Sequence, residues 1–405
     1  MESVIYLDYA ATTPMREEVF QAMRPYMTKE SGNPSSAYSL GRTAREAVNS
    51  ARKIIADSIG AKENEIYFTS GGTEADNWAV KGTYRKAFLE GRHCHIITDE
   101  IEHHAILHTC KALESIGCEV TYLPVDDIGK VNPAMLDKAI RPDTALVSIM
   151  MANNEIGTIQ PIEEIAKITQ KHNILLHVDA VQAYGHMPIN VAELGIDMMS
   201  VSAHKLYGPK GIGFLYVKDG VLDESLLHGG AQEHGMRAGT ENVAAIVGMG
   251  EAVRLAMKEL DEEEARERKL RDTFIERVIS EISYARLNGA YGDDRLANNI
   301  NFSFRFVESE SLLIMLDMKG ICISAGSACA TGSKSPSHVL TAIGLPASLA
   351  NGSIRLTLGR NTTEDELEIA FDAIKEAVEA LREVSVQYED FTKGQQINEN
   401  RRILY

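Results

Sequence analysis

The sequence predicts an α/β fold: a large unit built on a mostly parallel sheet covered by helices, with a smaller α+β unit attached. Three observations predict it. Short apolar runs alternate with helical stretches from residue 65 to about 217, the order that a parallel sheet requires. The run 174–179 is apolar without polar alternation, as a strand covered on both faces should be. The turns after these runs are rich in glycine and small polar residues, which marks strand exits rather than helix interiors. At 405 residues the chain exceeds what one core usually serves. The expected division is a large unit at 16–260, a small unit from 1–15 and 261–385, and a polar tail at 386–405.

The elements follow in order. The run 4–7 ends in Asp8-Tyr9-Ala10-Ala11-Thr12-Thr13-Pro14, and Pro14 fits the first turn of a helix reaching Met23. A helix over 40–59 follows, with Ala44, Ala47, Val48, Ala51, Ile54 and Ile55 on one face. A strand at 65–69 turns through Ser70-Gly71-Gly72-Thr73 into a helix. Such a turn leaves backbone N–H groups bare at the positive end of a helix, a place for an anion, although many such turns bind nothing. No Walker lysine follows it. Further strands are expected at 95–98, 118–123, 144–150 and 174–179, with helices at 133–140 and 162–172 between them. A buried strand at 198–201 leads to Ser202, His204 and Lys205, then a Gly208-Pro209 turn and a strand at 212–217.

Beyond the hairpin, 227–242 is too glycine-rich for a helix, and a loop of that length is usually functional. A long helix over 243–282 carries a charged run at 259–271 that reads as a solvated face and a unit boundary. Strands at 299–304, 321–324 and 353–357 then alternate with helices at 309–319, 336–343 and 364–383. The tail from 384 reads as polar and loosely ordered.

A net charge of -17 opposes nonspecific binding to nucleic acid or an anionic membrane. The amino terminus lacks a basic segment before a long apolar run, so a secretory signal is not expected, and no apolar stretch reaches membrane-spanning length. A cytoplasmic location is the expectation. The five cysteines, Cys94, Cys110, Cys118, Cys322 and Cys329, are odd in number and irregularly spaced, which disfavours disulfides and a metal site.

Lys205 taken alone reads as a solvated lysine in a turn, and Asp179, at the carboxyl end of its strand, fits a structural ion pair as well as a ligand. Together with an anion cup at Thr73 they outline a site for pyridoxal phosphate. That coenzyme needs N–H groups and hydroxyls for its phosphate, a carboxylate for its ring nitrogen and a lysine for its aldehyde.

At this point the chain resembles the cysteine desulfurases of the NifS/IscS type, class-V aminotransferase relatives with the fold-type I architecture of pyridoxal phosphate enzymes. The resemblance runs from residue 7 to about 380. It is carried by 7–14, 69–74, Asn153-Asn154-Glu155-Ile156-Gly157, His177-Val178-Asp179-Ala180, 202–211, Arg237-Ala238-Gly239-Thr240, 326–330 and 353–360. It implies a Schiff base on Lys205, pairing of Asp179 with the ring nitrogen, stacking by His103, and a Gln182 hydrogen bond to the phenolic oxygen near Asn154. Gly72, Thr73, Ser202 and His204 would hold the phosphate, with Thr240 reaching in from the second subunit of a homodimer. Arg355, aided by Asn154, would bind the substrate carboxylate.

Cys329 would take sulfur from L-cysteine as a persulfide, leaving alanine, while Lys205 moves the Cα proton and His103 manages protons on the substrate thiol. The glycine- and serine-rich stretch around Cys329 resembles that of relatives that pass sulfur to a NifU/IscU-like scaffold or another acceptor, with an iron–sulfur cluster possible near Cys329. No resident metal is implied. Rival expectations are a selenocysteine lyase or another enzyme of the same fold, and a sulfur carrier without catalysis of its own.

Overall fold

The computed structural model of the chain describes residues 4–222, 224–325 and 336–393. Twelve strands occur among them: β1 (Ile5–Tyr6), β2 (Ile66–Thr69), β3 (His95–Asp99), β4 (Glu119–Leu123), β5 (Thr144–Ser148), β6 (Leu175–Asp179), β7 (Met198–Ser202), β8 (Gly213–Val217), β9 (Ala285–Leu287), β10 (Asn299–Phe304), β11 (Ile321–Cys322) and β12 (Ser353–Thr357). Seven form one sheet in the order β2-β8-β7-β6-β5-β3-β4. All its neighbours are parallel except β8, which is antiparallel to β2 and β7. Strands β3, β7 and β8 are buried along their whole length, because helices cover both faces.

The order of strands reverses between β3 and β5. A crevice outside their carboxyl ends is where open α/β sheets bind ligands. His103 follows β3, Asn154 follows β5, and the register Asp179↔Ser200 sets the ends of β6 and β7 side by side. The sheet therefore delivers its polar residues to one edge.

The helix Ser39–Ile59 turns Ala44, Val48, Ala51, Ile55 and Ile59 inward, a spacing of three to four residues, and ends on left-handed Gly60. Fully buried side chains of the Ile class contribute ~1.5–3 kcal/mol each. The helix Val243–Glu281 has 39 residues and so runs about 58 Å. Its first half joins the core of the large sheet, while Phe274, Ile275 and Val278 join a second core built on β10, β12 and the helices Ser309–Asp317 and Glu364–Glu383. In the second core β10 pairs antiparallel with β9 and β12. β1 pairs with β11, which brings the amino terminus across to this core.

Several elements differ from expectation. The first helix is Glu17–Thr28, so Pro14 lies ahead of it, and Thr13 is held by hydrogen bonds to the His204 carbonyl instead. The charged run of the long helix is not wholly solvated: Arg271 is buried and donates to the carbonyls of Arg295, Leu296 and Gly292. The tail contains a helix, Val386–Thr392, because Tyr388 and Phe391 pack on Phe306, and Phe391 also on Tyr284. Among the described residues no helix is long and apolar enough to cross a membrane, and no cluster of three metal-ligating side chains occurs.

Candidate active site

The strand ends open into a cleft of about 630 Å³. One wall is the turn from β2 into the helix Gly72–Leu89. Gly71 adopts φ 150°, a conformation open to glycine, and it lets the chain reverse into the helix. The Ser70 N–H is satisfied by Glu74, which is itself held by Arg237 at 2.9 Å. The first N–H groups of the helix have no helical acceptors, so they and the exposed Thr73 face the opening. A Cβ on Gly72 would come within 2.6 Å of Val181 Cγ2, showing how closely this turn lies against the exit of β6. Ser202 and His204 close the cup from the end of β7, with His204 Nδ1 3.2 Å from the Thr12 hydroxyl.

Lys205 sits on a short 3₁₀ turn, Ala203–Lys205, after β7. Its Nζ donates to the carbonyls of Ala10 (2.5 Å) and Ala11 (2.8 Å). The next residue but one, Tyr207, has φ 62°, a strained value for a bulky side chain. That strain is held from both sides, since its N–H donates to Thr13 Oγ1 and its Oη accepts from the Arg360 N–H. The lysine is therefore aimed by its surroundings.

Asp179 is 5% exposed and accepts the Val181 N–H at 2.9 Å. Burial pushes its carboxyl up to about 6, against the pull of Lys205. Asp76 lines the cleft beside it, raised by burial and by Asp179, and Glu102, which does not line the cleft, lies in electrostatic reach of both and is raised by burial and neighbouring carboxylates. Asp76 Oδ1 and Glu102 Oε2 have no hydrogen-bond partner among the described residues. Carboxylates at this place favour a positively charged ligand atom beside them, as Lys205 already shows by its pull on Asp179.

His103 caps the helix His104–Glu114, its Nδ1 accepting the Ala105 N–H at 3.1 Å. That bond leaves the ring proton on Nε2. Burial, then the charge of Lys205, lowers its pKa to about 4, so the ring is neutral near pH 7. Gln182 donates to the Ala10 carbonyl at 3.1 Å. Arg355, in the middle of β12, donates to the Asn154 carbonyl at 2.9 Å and to Asp8 Oδ1 at 2.7 Å.

The cleft thus gathers Gly72, Thr73, His103, Asn154, Asp179, Gln182, Ser202, His204, Lys205 and Arg355. Thr240 does not line it, but lines an adjoining cavity of about 210 Å³ that shares Ser70 and Gly211 with the cleft. Cys329 falls outside the described residues. Of the other cysteines, Cys94, Cys110 and Cys118 are buried as small apolar side chains, whereas Cys322 is only half-buried.

The sequence reading passed over Asp76, Glu102, Glu155 and Asp8. Asp76 had a local signal, a carboxylate among Ala75, Trp78, Ala79 and Val80, which are all buried. Glu155 and Asp8 had none, since their partners Ser337, Arg355 and Ser324 are more than 180 residues distant.

Residues 5–369 match the aminotransferase class-V family. The chain is 54% identical over 385 residues to the cysteine desulfurase IscS of Dictyoglomus turgidum, covering 95% of this chain and 97% of that one. It is also 54% identical to the cysteine desulfurase IscS of Methanosarcina thermophila, covering 94% and 93%. Among solved structures, a NifS-like protein superposes with a TM-score of 0.87 at 38% identity, covering 93% of this chain and all of the other. SspA in complex with cysteine superposes with a TM-score of 0.77 at 41% identity, covering 87% and 98%.

Proposed function

The chain belongs to the aminotransferase class-V family as a cysteine desulfurase of the NifS/IscS type, and on that footing we propose which of its residues hold the coenzyme and move the protons. The coenzyme is pyridoxal phosphate. When bound it supplies an aldehyde that condenses with an amine and a protonated ring that takes up an electron pair.

The residues fit that group. The N–H groups at Gly72 and Thr73, with the Thr73 and Ser202 hydroxyls and His204, suit a phosphate. The carboxylate of Asp179 suits a protonated ring nitrogen, and the neutral His103 ring suits stacking over it. Gln182 and Asn154 supply amide N–H donors for a phenolic oxygen. The single observation that carries the reading is that Lys205 lines the same cleft as Asp179, Thr73 and Arg355.

Arg355 holds the α-carboxylate of L-cysteine through its planar fork. Lys205 Nζ takes the Cα proton, and its bonds to the carbonyls of Ala10 and Ala11, which line the cleft, hold it there. His103, neutral and carrying its proton on Nε2, exchanges a proton with the substrate thiol. The Cys329 thiolate receives the sulfur, leaving alanine and a persulfide. The acceptor of that persulfide is an iron–sulfur scaffold protein, in the cytoplasm. Two copies of the chain form a homodimer in which Thr240 completes the partner's phosphate cup. The large unit, 16–260, holds the coenzyme, and the small unit, 1–15 and 261–385, carries Cys329.

The test is absorbance and turnover together. Purified protein loaded with pyridoxal phosphate is expected to be yellow, to bleach with borohydride, and to release alanine and sulfide from L-cysteine. Lys205→Ala is expected to lose both colour and turnover. Cys329→Ala keeps the colour and forms no persulfide, and unimpaired sulfur release by that variant would favour selenocysteine lyase-type chemistry instead.

A further inference from the structure

We infer that Asp8 is a positioning residue of this reaction, holding the Arg355 guanidinium with one carboxylate oxygen and the Ser324 hydroxyl with the other, so that capture of the substrate carboxylate is tied to the strand end from which the Cys329 stretch departs. The inference rests on the reading of Arg355 as the substrate-carboxylate site. Its geometry is direct: Arg355 Nη2 lies 2.7 Å from Asp8 Oδ1, and Ser324 Oγ donates to Asp8 Oδ2 at 2.8 Å.

The backbone makes this a fixed frame. Asp8 follows β1 and bridges to Thr357, while Ser324 follows β11 and pairs with Arg355 through two backbone hydrogen bonds of 3.2 and 2.7 Å. The Asp8 carbonyl accepts from Tyr6 Oη at 3.0 Å, and the same hydroxyl reaches the Thr12 carbonyl at 2.8 Å. With its backbone so held, only the Asp8 carboxylate is left to respond to a ligand.

The charges give that response a direction. The Arg355 side chain is 3% exposed, and a cation so buried needs an anion. Asp8 supplies it. A second acid in electrostatic reach, Glu155, commits Oε2 to the Ser337 hydroxyl at 2.5 Å. Each terminal nitrogen of Arg355 keeps a second N–H beyond its bond to Asp8 or Asn154, and Nε has no partner among the described residues. A substrate carboxylate arriving at this fork places a second anion beside Asp8. Repulsion between the two is relieved as Asp8 weights its bond to Ser324, five residues ahead of Cys329 in the chain. Asp8 also makes the site selective, since a ligand without an α-carboxylate gains nothing from displacing it.

The experiment measures KM, kcat and single-turnover persulfide labelling with L-cysteine on the coenzyme-loaded protein and on Asp8→Asn and Ser324→Ala. Asp8→Asn removes the competing anion and is expected to lower KM while kcat and persulfide labelling fall on the order of tenfold or more, as loss of positioning does. Ser324→Ala is expected to leave KM unchanged and to lower kcat in the same sense. A higher KM at unchanged kcat in Asp8→Asn, or a wild-type kcat in Ser324→Ala, overturns the inference. Should Asp8→Asn fail to fold, Ser324→Ala decides, because it deletes one hydroxyl. A wild-type KM in Arg355→Gln would instead overturn the reading of Arg355 as the carboxylate site.

Discussion

Glu155, on the lining of the cleft, is a residue whose protonation the fold alters. It is wholly buried, and burial pushes its pKa up to about 7 even though the Ser337 bond and Arg355 pull it down. An unfolded glutamate titrates near 4.3. As pH rises from there to about 7 the unfolded chain releases this proton while the folded chain keeps it, so the residue subtracts stability over that window, by up to ~3 kcal/mol. The loss is complete above pH 7 and absent below about 4. Glu155→Gln keeps an acceptor for Ser337 and removes the titration. Its unfolding midpoint relative to wild type is therefore expected to improve between pH 5 and pH 8, and parallel urea curves at the two pH values would contradict the assignment. At this scale the sequence is uneven: Lys205, Asp179 and His103 stand at strand ends, where a motif can be read, whereas the hydroxyl that meets the buried Glu155 comes from a helix start 182 residues away.

At the scale of elements, the loop 227–242 shows how a glycine-rich stretch is held in place. Glu233 has φ 45° and His234 φ 59°, and that bend is fixed by a buried pair: Arg52 donates to both Glu233 oxygens, at 2.9 and 2.7 Å, while Glu233 also accepts the Phe68 N–H at 2.8 Å. Both side chains are under a tenth exposed. Breaking such a pair leaves an uncompensated buried charge at a cost of ~3–5 kcal/mol. Arg52→Ala is expected to lower the unfolding free energy by that amount and to release the loop to protease at 227–242, and a variant with wild-type stability and cleavage pattern would show the pair to be dispensable. The length and composition of this loop marked it as functional from the sequence alone. Its anchor was not legible, because Arg52 lies on a helix whose other inward residues are apolar, and a helical pattern assigns such an arginine to the surface.

For the whole molecule, the place of Thr240 on the cavity next to the cleft that holds Lys205, rather than on that cleft, leads to a test of assembly. The chain is expected to sediment at twice its 44.5 kDa mass. Mixed dimers of Lys205→Ala with Thr240→Asp are expected to regain up to half the wild-type alanine yield, since one of their two sites has an intact lysine and an intact threonine. Two inactive variants that stay inactive after subunit exchange would refute a shared site. The sequence by itself determined the alternation of strands and helices, the parallel sheet and the polar residues at its strand ends, because periodicity and turn chemistry are local properties of the chain. It also determined family membership, through motifs whose order is written in one dimension. Only the tertiary structure decided which charges face one another: the carboxylates of Asp76 and Asp179 with Glu102 in reach, the Arg52–Glu233 clamp and the Asp8 bridge between Arg355 and Ser324. The physical reason is distance along the chain. A buried charge is tolerated only beside its partner, and folding brings that partner from hundreds of residues away.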